Sequence, residues 1–162
     1  MEENRKRDID NYNVIDSEIV KYVKDVLEGK EKDEVLTVAF LTEKAIKDIK
    51  NLTGLDVSGN RVVLDANAVK HIEKRHGING EQDCSMSDIN DFAKIGYIVN
   101  NYDNIYFNNK YSQIYRTSNN EPAPKLLLSK EIDDIYYVVE AVSDSKKHQN
   151  YIVSAYVVSN KK

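Results

Sequence analysis

Residues 61–77 read RVVLDANAVKHIEKRHG. The sequence of this stretch suggests both a strand and a helix, the two element types expected in the rest of the chain. Residues 61–64 are short, apolar and rich in β-branched side chains, which predicts a buried strand. Asp65 can accept hydrogen bonds from the first backbone N–H groups of a helix, and Gly77 is a residue type that often follows one. The stretch therefore predicts a strand that passes directly into a helix over residues 66–76.

The segments before this stretch predict further elements of both types. Apolar residues recur at helical spacing over residues 17–27, which indicates an amphipathic helix. Residues 35–41 read VLTVAFL, a short apolar run typical of a buried strand. Thr42 can cap another helix that runs to about Leu52, and Gly54 is positioned to end it.

The segments after this stretch predict first a helix and then strands, because the spacing of apolar residues changes from helical to alternating. A helix is expected from Ser85 or Ser87 onward, with Asp88 near its start and apolar residues as far as Val99. From Ile105 onward apolar residues alternate, which predicts strands over residues 105–107, 111–117, 125–129, 135–142 and 151–158.

Short connections, including a turn at Asn108-Asn109, favour an antiparallel meander. The predicted fold class is therefore α+β, with N-terminal helices packed on a four- to five-stranded antiparallel sheet.

The composition is typical of a single globular domain and excludes several function classes. The chain has 162 residues, of which 41% are hydrophobic and 31% are charged. No apolar run approaches the ~20 residues that a membrane span needs, and the N-terminal residues lack the apolar core of a secretory signal. With one cysteine, Cys84, the chain cannot form an internal disulfide. We expect a cytoplasmic protein without a membrane partner; the sequence does not indicate its oligomeric state.

The charge is unevenly distributed along the chain. The net charge of −4 argues against broad, non-specific binding of nucleic acid, which requires a large basic surface. Residues 1–34 and 78–105 each have a net charge of −4, whereas residues 61–77 have a net charge of +2. A small basic site between acidic segments is compatible with this distribution.

The helix of residues 66–76 contains the residues best suited to catalysis. His71 and Arg75 lie on one side of it, whereas His76 continues the apolar stripe of Val69 and Ile72. Histidine can donate or accept a proton near neutral pH, and arginine can bind a phosphate and stabilise developing negative charge. Cleavage of RNA without a metal needs these groups. The alternative interpretation is a core-facing His76, held by a hydrogen bond, with His71 on the surface.

A zinc site is the second alternative for these histidines. His71, His76, Cys84 and His148 could supply nitrogen and sulfur ligands. The two helix histidines are five residues apart, however, so their side chains leave the helix about 140° apart rather than stacked. We therefore expect no metal and no other cofactor.

The predicted strands offer partners for the helix residues. Lys125 is a candidate cation for the phosphate, and Arg116, Ser154 and Tyr156 are candidates for substrate binding. Glu140 introduces an acid into an otherwise apolar row of its strand. The alternative for all of them is a polar, half-exposed sheet surface, in which tyrosine is common.

The order of these features resembles the phage-associated nuclease domains of the barnase–EndoU–colicin–RelE class. The resemblance spans about residues 37–158, and it is carried by three runs of sequence. They are LTEKAIKDIKNLTGLDVSGNRVVLDANAVKHIEKRHG (41–77), MSDINDFAKIGYIVNNYDNIYF (86–107) and YIVSAYVVS (151–159). Its most specific element is the group His71, Arg75, His76 and Gly77.

The resemblance implies helices on a four-stranded antiparallel sheet, with metal-independent ribonuclease activity. By this resemblance His71 and His76 match the family's helix histidines, Arg75 the basic residue between them and Lys125 a sheet lysine, and we take these four as the candidate catalytic residues. Ser154 and Tyr156 match polar residues of the last strand. The resemblance also implies a phage or mobile-element origin, with a role as a toxin or as part of a head protein. It divides the chain into a helical N-terminal extension (1–34) and an RNase-like α+β domain (35–162) within one compact unit.

These observations lead to one hypothesis, one main competitor and a third possibility, a structural domain that kept the fold and lost its chemistry. The hypothesis is an endoribonuclease that acts on RNA, with tRNA as one candidate, by general acid–base transphosphorylation in the cytoplasm of a bacterial host. Its expected partners are an RNA substrate and either a protein antidote or a phage head protein. The competitor is a catalytically inactive phage-encoded binding or inhibitor protein whose acidic segments form the working surface.

Overall fold

The computed structural model describes residues 16–30, 34–116, 122–144 and 147–159, of which 108–116, 122–124 and 159 are described by their backbone alone. The predicted N-terminal extension therefore lies partly outside the described residues. In chain order the elements are α1 (Ser17–Leu27), β1 (Leu36–Phe40), α2 (Glu43–Thr53), β2 (Arg61–Leu64), α3 (Ala66–His76), α4 (Ile89–Phe92), α5 (Ile95–Asn101), β3 (Asn104–Arg116), β4 (Pro122–Ile132), β5 (Ile135–Asp144) and β6 (Gln149–Ser159).

The strands form a six-stranded sheet in the order β1-β2-β6-β5-β4-β3. Neighbouring strands are antiparallel except for β2 and β6, which are parallel. The predicted α+β class is confirmed. The sheet has more strands than predicted because β1 and β2, which come early in the chain, pair with each other and join β6.

Two local predictions from the sequence are wrong. The predicted turn at Asn108-Asn109 does not form, because β3 continues through it and only its register with β4 shifts between Phe107 and Tyr111. Pairing with a long neighbouring strand thus outweighs the local turn preference of two asparagines. The helix predicted from Ser85 or Ser87 onward is instead divided into the short helices α4 and α5.

The helix starts follow the predicted caps. The side chain of Thr42 accepts a hydrogen bond from the backbone N–H of Ala45 at 3.1 Å, and Asp65 accepts one from Ala68 at 2.8 Å. Each cap satisfies a backbone donor that has no partner within its helix. The exposed backbone of the first turn is thereby satisfied locally, so short-range sequence patterns predict these helix starts well.

One hydrophobic core joins the helices to the sheet. Ile19 and Val23 of α1 are buried in it together with Ile72 of α3 and with Leu126 and Ile152 of the sheet. Helix α1 therefore packs on the same core as the rest of the described chain. Within the described residues, no helix combines the length and apolar character that a bilayer span requires.

Helix α3 packs beside the second half of β6, and this placement creates the candidate site. Strand β2 pairs with β6 only as far as Val63 and Tyr151, after which the chain turns into α3. Farther along β6, the backbone N–H of Val157 donates to Oγ of Ser85, at 3.0 Å, in the loop that follows α3. The helix and its following loop thus occupy the edge that β2 leaves open.

Candidate functional site

Helix α3 contributes three candidate residues to one end of the site. His76 is buried along with Val69 and Ile72, whereas His71 and Arg75 are half-buried. The prediction that His76 lies on the apolar stripe of the helix is confirmed. His71 and Arg75 lie at the border between that stripe and solvent, where side chains can contact a ligand.

His76 is held between an acid of the following loop and a tyrosine of the sheet. Its Nδ1 lies 2.9 Å from Oδ1 of Asp83, and its ring stacks on Tyr156 with 5.0 Å between ring centroids. Only 6% of the residue is exposed. An ionised carboxylate can only accept hydrogen bonds, so Nδ1 carries the proton in this pair and Nε2 is left as the exchangeable nitrogen.

The loop after α3 keeps Asp83 in place. The backbone N–H of Ser85 donates to Oδ1 of Asp83 at 3.0 Å, and the backbone N–H of Asp83 donates to the carbonyl of Arg75 at 3.2 Å. Burial alone raises the pKa of the Asp83 carboxyl, but the hydrogen bonds from Ser85 and His76 outweigh it and lower that pKa below its ordinary value. Asp83 is therefore ionised at neutral pH.

Glu140 of β5 lies on the sheet side of the site and has a partner for each carboxylate oxygen. Its Oε1 lies 3.3 Å from Nζ of Lys125 on β4, and its Oε2 accepts a hydrogen bond from the hydroxyl of Tyr156 at 3.1 Å. Ser154 is buried and lies directly opposite Glu140 in the β5–β6 register. Burial, followed by the charge and hydrogen bond of Glu140, raises the pKa of Tyr156 to about 12.

Charged residues on helix α3 and on the sheet both shift the pKa of His71. Burial lowers the pKa of His71 below its ordinary value, and the positive charge of Arg75 lowers it further. Glu140 opposes this shift and Lys125 adds to it, so charges from both sides of the site act on the imidazole. His71 is therefore mostly neutral at neutral pH, in the form that accepts a proton.

Arg75 has an unused donor. Its Nε is buried and has no hydrogen-bond partner within the part of the chain that the structure describes. A buried N–H without a partner is unfavourable by about 1–3 kcal/mol, and a guanidinium is a strong donor to phosphate oxygens. Because Arg75 as a whole is half-buried, an anion at this end of α3 can contact the exposed part of its side chain but not the buried Nε.

The structure brings together most of the residues predicted from the sequence. His71, Arg75 and His76 approach Lys125 and Tyr156 through the contacts and charges described above. Ser154 is opposite Glu140 in the β5–β6 register but is buried. The side chain of Arg116 lies outside the described residues; its backbone pairs with Pro122.

Two residues of the site, Glu140 and Asp83, were not among the site residues predicted from the sequence. Glu140 gave a signal, because an acid within an apolar strand row usually has a buried partner. Asp83 gave none, because its contact with His76 depends on how an irregular loop folds back over the end of α3.

The four residues considered as zinc ligands do not form a metal site. Across the described ranges, no three His, Cys, Asp or Glu side chains are grouped closely enough to hold a metal ion. Cys84 is exposed and free, and His148 follows β5 in a turn with a positive φ of 57°.

Residues 40–162, about three quarters of the chain, match the family described as phage-Barnase-EndoU-ColicinE5/D-RelE like nuclease 3. The chain belongs to this nuclease family. No curated protein and no solved structure matches it. The resemblance stated from the sequence is thus confirmed, and the matched residues include every residue of the candidate site, from α3 to β6.

Proposed function

We propose that this nuclease domain cleaves RNA by metal-independent general acid–base transphosphorylation. The observation that supports the proposal best is a half-buried imidazole, His71, kept neutral by burial and by Arg75 while Lys125 and Glu140 act on it from the sheet. A neutral imidazole among cations can accept a proton beside a bound phosphodiester. The two cations then stabilise the negative charge that grows on phosphorus.

In the proposed reaction, two histidines of the site accept and donate the protons. His71 takes the proton of a ribose 2′-hydroxyl, and the oxygen forms a bond to the adjacent phosphorus. The bond from phosphorus to the 5′ oxygen breaks, and this oxygen takes the Nε2 proton of a His76 that starts the step with both ring nitrogens protonated. Proton exchange with water then returns His71 and His76 to their starting forms. The products are a 2′,3′-cyclic phosphate and a free 5′-hydroxyl, with Arg75 and Lys125 bound to the phosphate oxygens.

Asp83 and Glu140 act as positioning residues in this proposal. The contact between Asp83 and Nδ1 of His76 fixes the ring, so Nε2 can lose and regain a proton without rotation of the side chain. Glu140 holds Lys125 and the hydroxyl of Tyr156 at one place on the sheet. Both acids hold a catalytic group rather than react themselves.

The experiment compares wild type with His71→Ala and His76→Ala on a single-stranded RNA oligonucleotide in EDTA. We expect cleavage by wild type, a 2′,3′-cyclic phosphate end, and a loss of about 10²- to 10⁴-fold in rate for each variant. Lys70→Ala is the matched control, because Lys70 is an exposed cation on the same helix. A 2′-deoxy residue at the cleaved position should abolish the reaction.

Circular dichroism must show that the variants are folded. Folded histidine variants that cleave as fast as wild type would refute the mechanism. Cleavage that disappears in EDTA would instead support a metal-dependent reaction, and cleavage of the 2′-deoxy substrate would exclude attack by the 2′-hydroxyl.

The second candidate function is binding without catalysis, and the burial of His76 favours it. A ring with 6% exposure, stacked on Tyr156 and bonded to Asp83, also fits a structural role. In that case the protein is an inhibitor or binding protein of phage origin. Expression in a bacterial host separates the two candidates, since a nuclease arrests growth unless an antidote is present and a binding protein does not.

The cellular setting is part of the same proposal. We propose that the protein is encoded by a phage or another mobile element and acts as a toxin on RNA in the host cytoplasm. A protein antidote or a phage head protein is the proposed partner. Growth arrest that depends on His71, together with cleaved cellular RNA carrying cyclic phosphate ends, would support this role; growth arrest that persists in His71→Ala would contradict it.

A further inference from the structure

Tyr106, on the edge strand β3, lies on the same face of the sheet as Glu140 and has an exposed aromatic ring. Tyr106 of β3 is opposite Leu127 of β4, and Leu127 is opposite Glu140 of β5. Residues opposite each other in a sheet project from the same face, and neighbouring strands are about 4.8 Å apart. The backbone of Tyr106 is therefore about 10 Å from that of Glu140, in the same cross-strand row.

The burial pattern of β3 supports this orientation. Ile105 and Phe107 pack against the main core, so Tyr106, between them, faces away from it. Tyr106 is 55% exposed. Leu127, between Tyr106 and Glu140, is half-buried and apolar. A flat, exposed ring next to an apolar surface suits contact with a nucleobase.

The net charge of the chain indicates why such a contact is needed. At −4 overall, the protein cannot obtain much affinity for RNA from long-range attraction to phosphates. Lys125 and Arg75 supply cations only at the proposed cleavage point. Stacking of bases on aromatic rings is the principal alternative source of affinity for single-stranded nucleic acid, and it requires an unpaired base.

We infer that Tyr106 is a base-stacking subsite, and that the substrate is an RNA segment with an unpaired base next to the cleaved phosphodiester. This inference rests on the proposed function, because it takes the phosphate to bind at Lys125, whose Nζ lies 3.3 Å from Oε1 of Glu140 and so beside this row. A nucleotide adjacent to that phosphate reaches along the row, across Leu127, to the ring of Tyr106. An RNA helix keeps its bases stacked within the duplex and cannot make this contact.

The test measures binding of a fluorescent single-stranded 2′-O-methyl RNA oligonucleotide, which cannot undergo attack by its 2′ oxygen. We expect Tyr106→Ala to weaken binding roughly tenfold and Tyr106→Phe to retain it, because the ring and not the hydroxyl makes the contact. Leu52→Ala is the control, since it removes an exposed apolar side chain from the last turn of α2.

A second arm changes the RNA instead of the protein. Among oligonucleotides that each carry one abasic position, one should bind wild type roughly tenfold more weakly than the intact oligonucleotide does. A fully paired duplex should bind more weakly than the single strand. This arm needs only wild-type protein, so it remains decisive if the alanine variant folds poorly.

The outcomes separate the inference from the proposed function. If wild type binds and cleaves RNA but neither Tyr106→Ala nor any abasic position changes affinity, the stacking subsite is refuted and the proposed function stands. If wild type binds no RNA in any form, both are refuted. Equal weakening by Leu52→Ala would also refute the subsite, because the effect would then be non-specific.

Discussion

The aromatic ring of Tyr156 stacks on the imidazole of His76, with their centroids 5.0 Å apart and their planes tilted by 31°. The same tyrosine donates its hydroxyl to Glu140, so one side chain contacts both the helix and the sheet halves of the site. Because the halves are in direct contact, a change in the sheet should be detectable at the helix.

Glu140→Gln should lower the pKa of Tyr156 from about 12 while leaving it above the ordinary value of ~10. The charge of Glu140 raises this pKa, but burial is the larger cause and remains in the variant. Titration of ¹³Cζ-labelled tyrosine by NMR measures the change. Glu131→Gln, which removes an exposed acid from the end of β4, is the control and should leave the Tyr156 signal unchanged. An unchanged midpoint in Glu140→Gln would contradict the observed contact.

Asp83→Asn should destabilise the fold at neutral pH by about 1 kcal/mol, a modest value because the acid is partly exposed. The pKa of Asp83 is lower in the folded state than in the unfolded chain, so its stabilising effect is present above the ordinary value of ~3.9. That effect is lost as the pH falls through the folded-state pKa. Urea unfolding should thus show a difference from wild type at pH 6 that shrinks as the pH falls below ~3.9 and through the lowered folded-state pKa of Asp83.

Glu81→Gln is the matched control for Asp83→Asn, because Glu81 is an exposed acid in the same loop. Nitrogen NMR of the His76 ring should show the Nδ1–H form in wild type and in Glu81→Gln, and a mixture of forms in Asp83→Asn. A single unchanged ring form in all three proteins would show that Asp83 does not orient His76.

Arg75→Gln should raise the pKa of His71 toward its ordinary value of ~6.5 without reaching it. The charge of Arg75 lowers this pKa, but burial is the larger cause and persists in the variant. NMR titration of the imidazole Cε1–H measures the shift, and Lys70→Gln on the exposed side of α3 is the control. If the proposed mechanism holds, the acidic limb of the pH–rate profile of wild type lies below pH 6.5.

His71 also gives a stability prediction with a definite sign. Its folded-state pKa is lower than that in the unfolded chain, so the unfolded state binds the proton more readily. Stability should therefore fall as the pH decreases from ~6.5 through the folded-state pKa. In His71→Gln, a neutral side chain of similar polarity, this part of the pH dependence should disappear. A wild-type unfolding free energy that is flat or rising as the pH falls through this window, with no difference between the two proteins, would contradict the prediction.

Gly80→Ala should destabilise the fold by about 1–3 kcal/mol. A Cβ at this position would lie 2.6 Å from the carbonyl oxygen of Arg75 and would also collide with the carbonyl oxygen of Asp83. Both carbonyl oxygens belong to the backbone, one at the end of α3 and one in the following loop. The clash can therefore be removed only by moving the backbone of the site. Asn79→Ala, at an exposed neighbouring position, should have little effect. Thermal unfolding measures both variants, and equal midpoints would contradict the close approach.

Local patterns predicted α1, α2 and α3 with good accuracy but missed the division of the next helix into α4 and α5. Helix α3 begins after Asp65 and ends before Gly77 as predicted, because capping and periodicity act within a few residues of each other. The same patterns failed at Asn108-Asn109, where pairing with a distant strand outweighed a local turn preference. Predictions were thus reliable where the interactions that determine structure are close in sequence.

The amino-acid sequence alone determined the α+β class, the helix that carries His71, Arg75 and His76, and the membership of a nuclease family. Only the tertiary structure decided that Glu140 lies between Lys125 and Tyr156. Those contacts depend on strand register, which the packing of the whole sheet sets and which a shift of one residue would reverse.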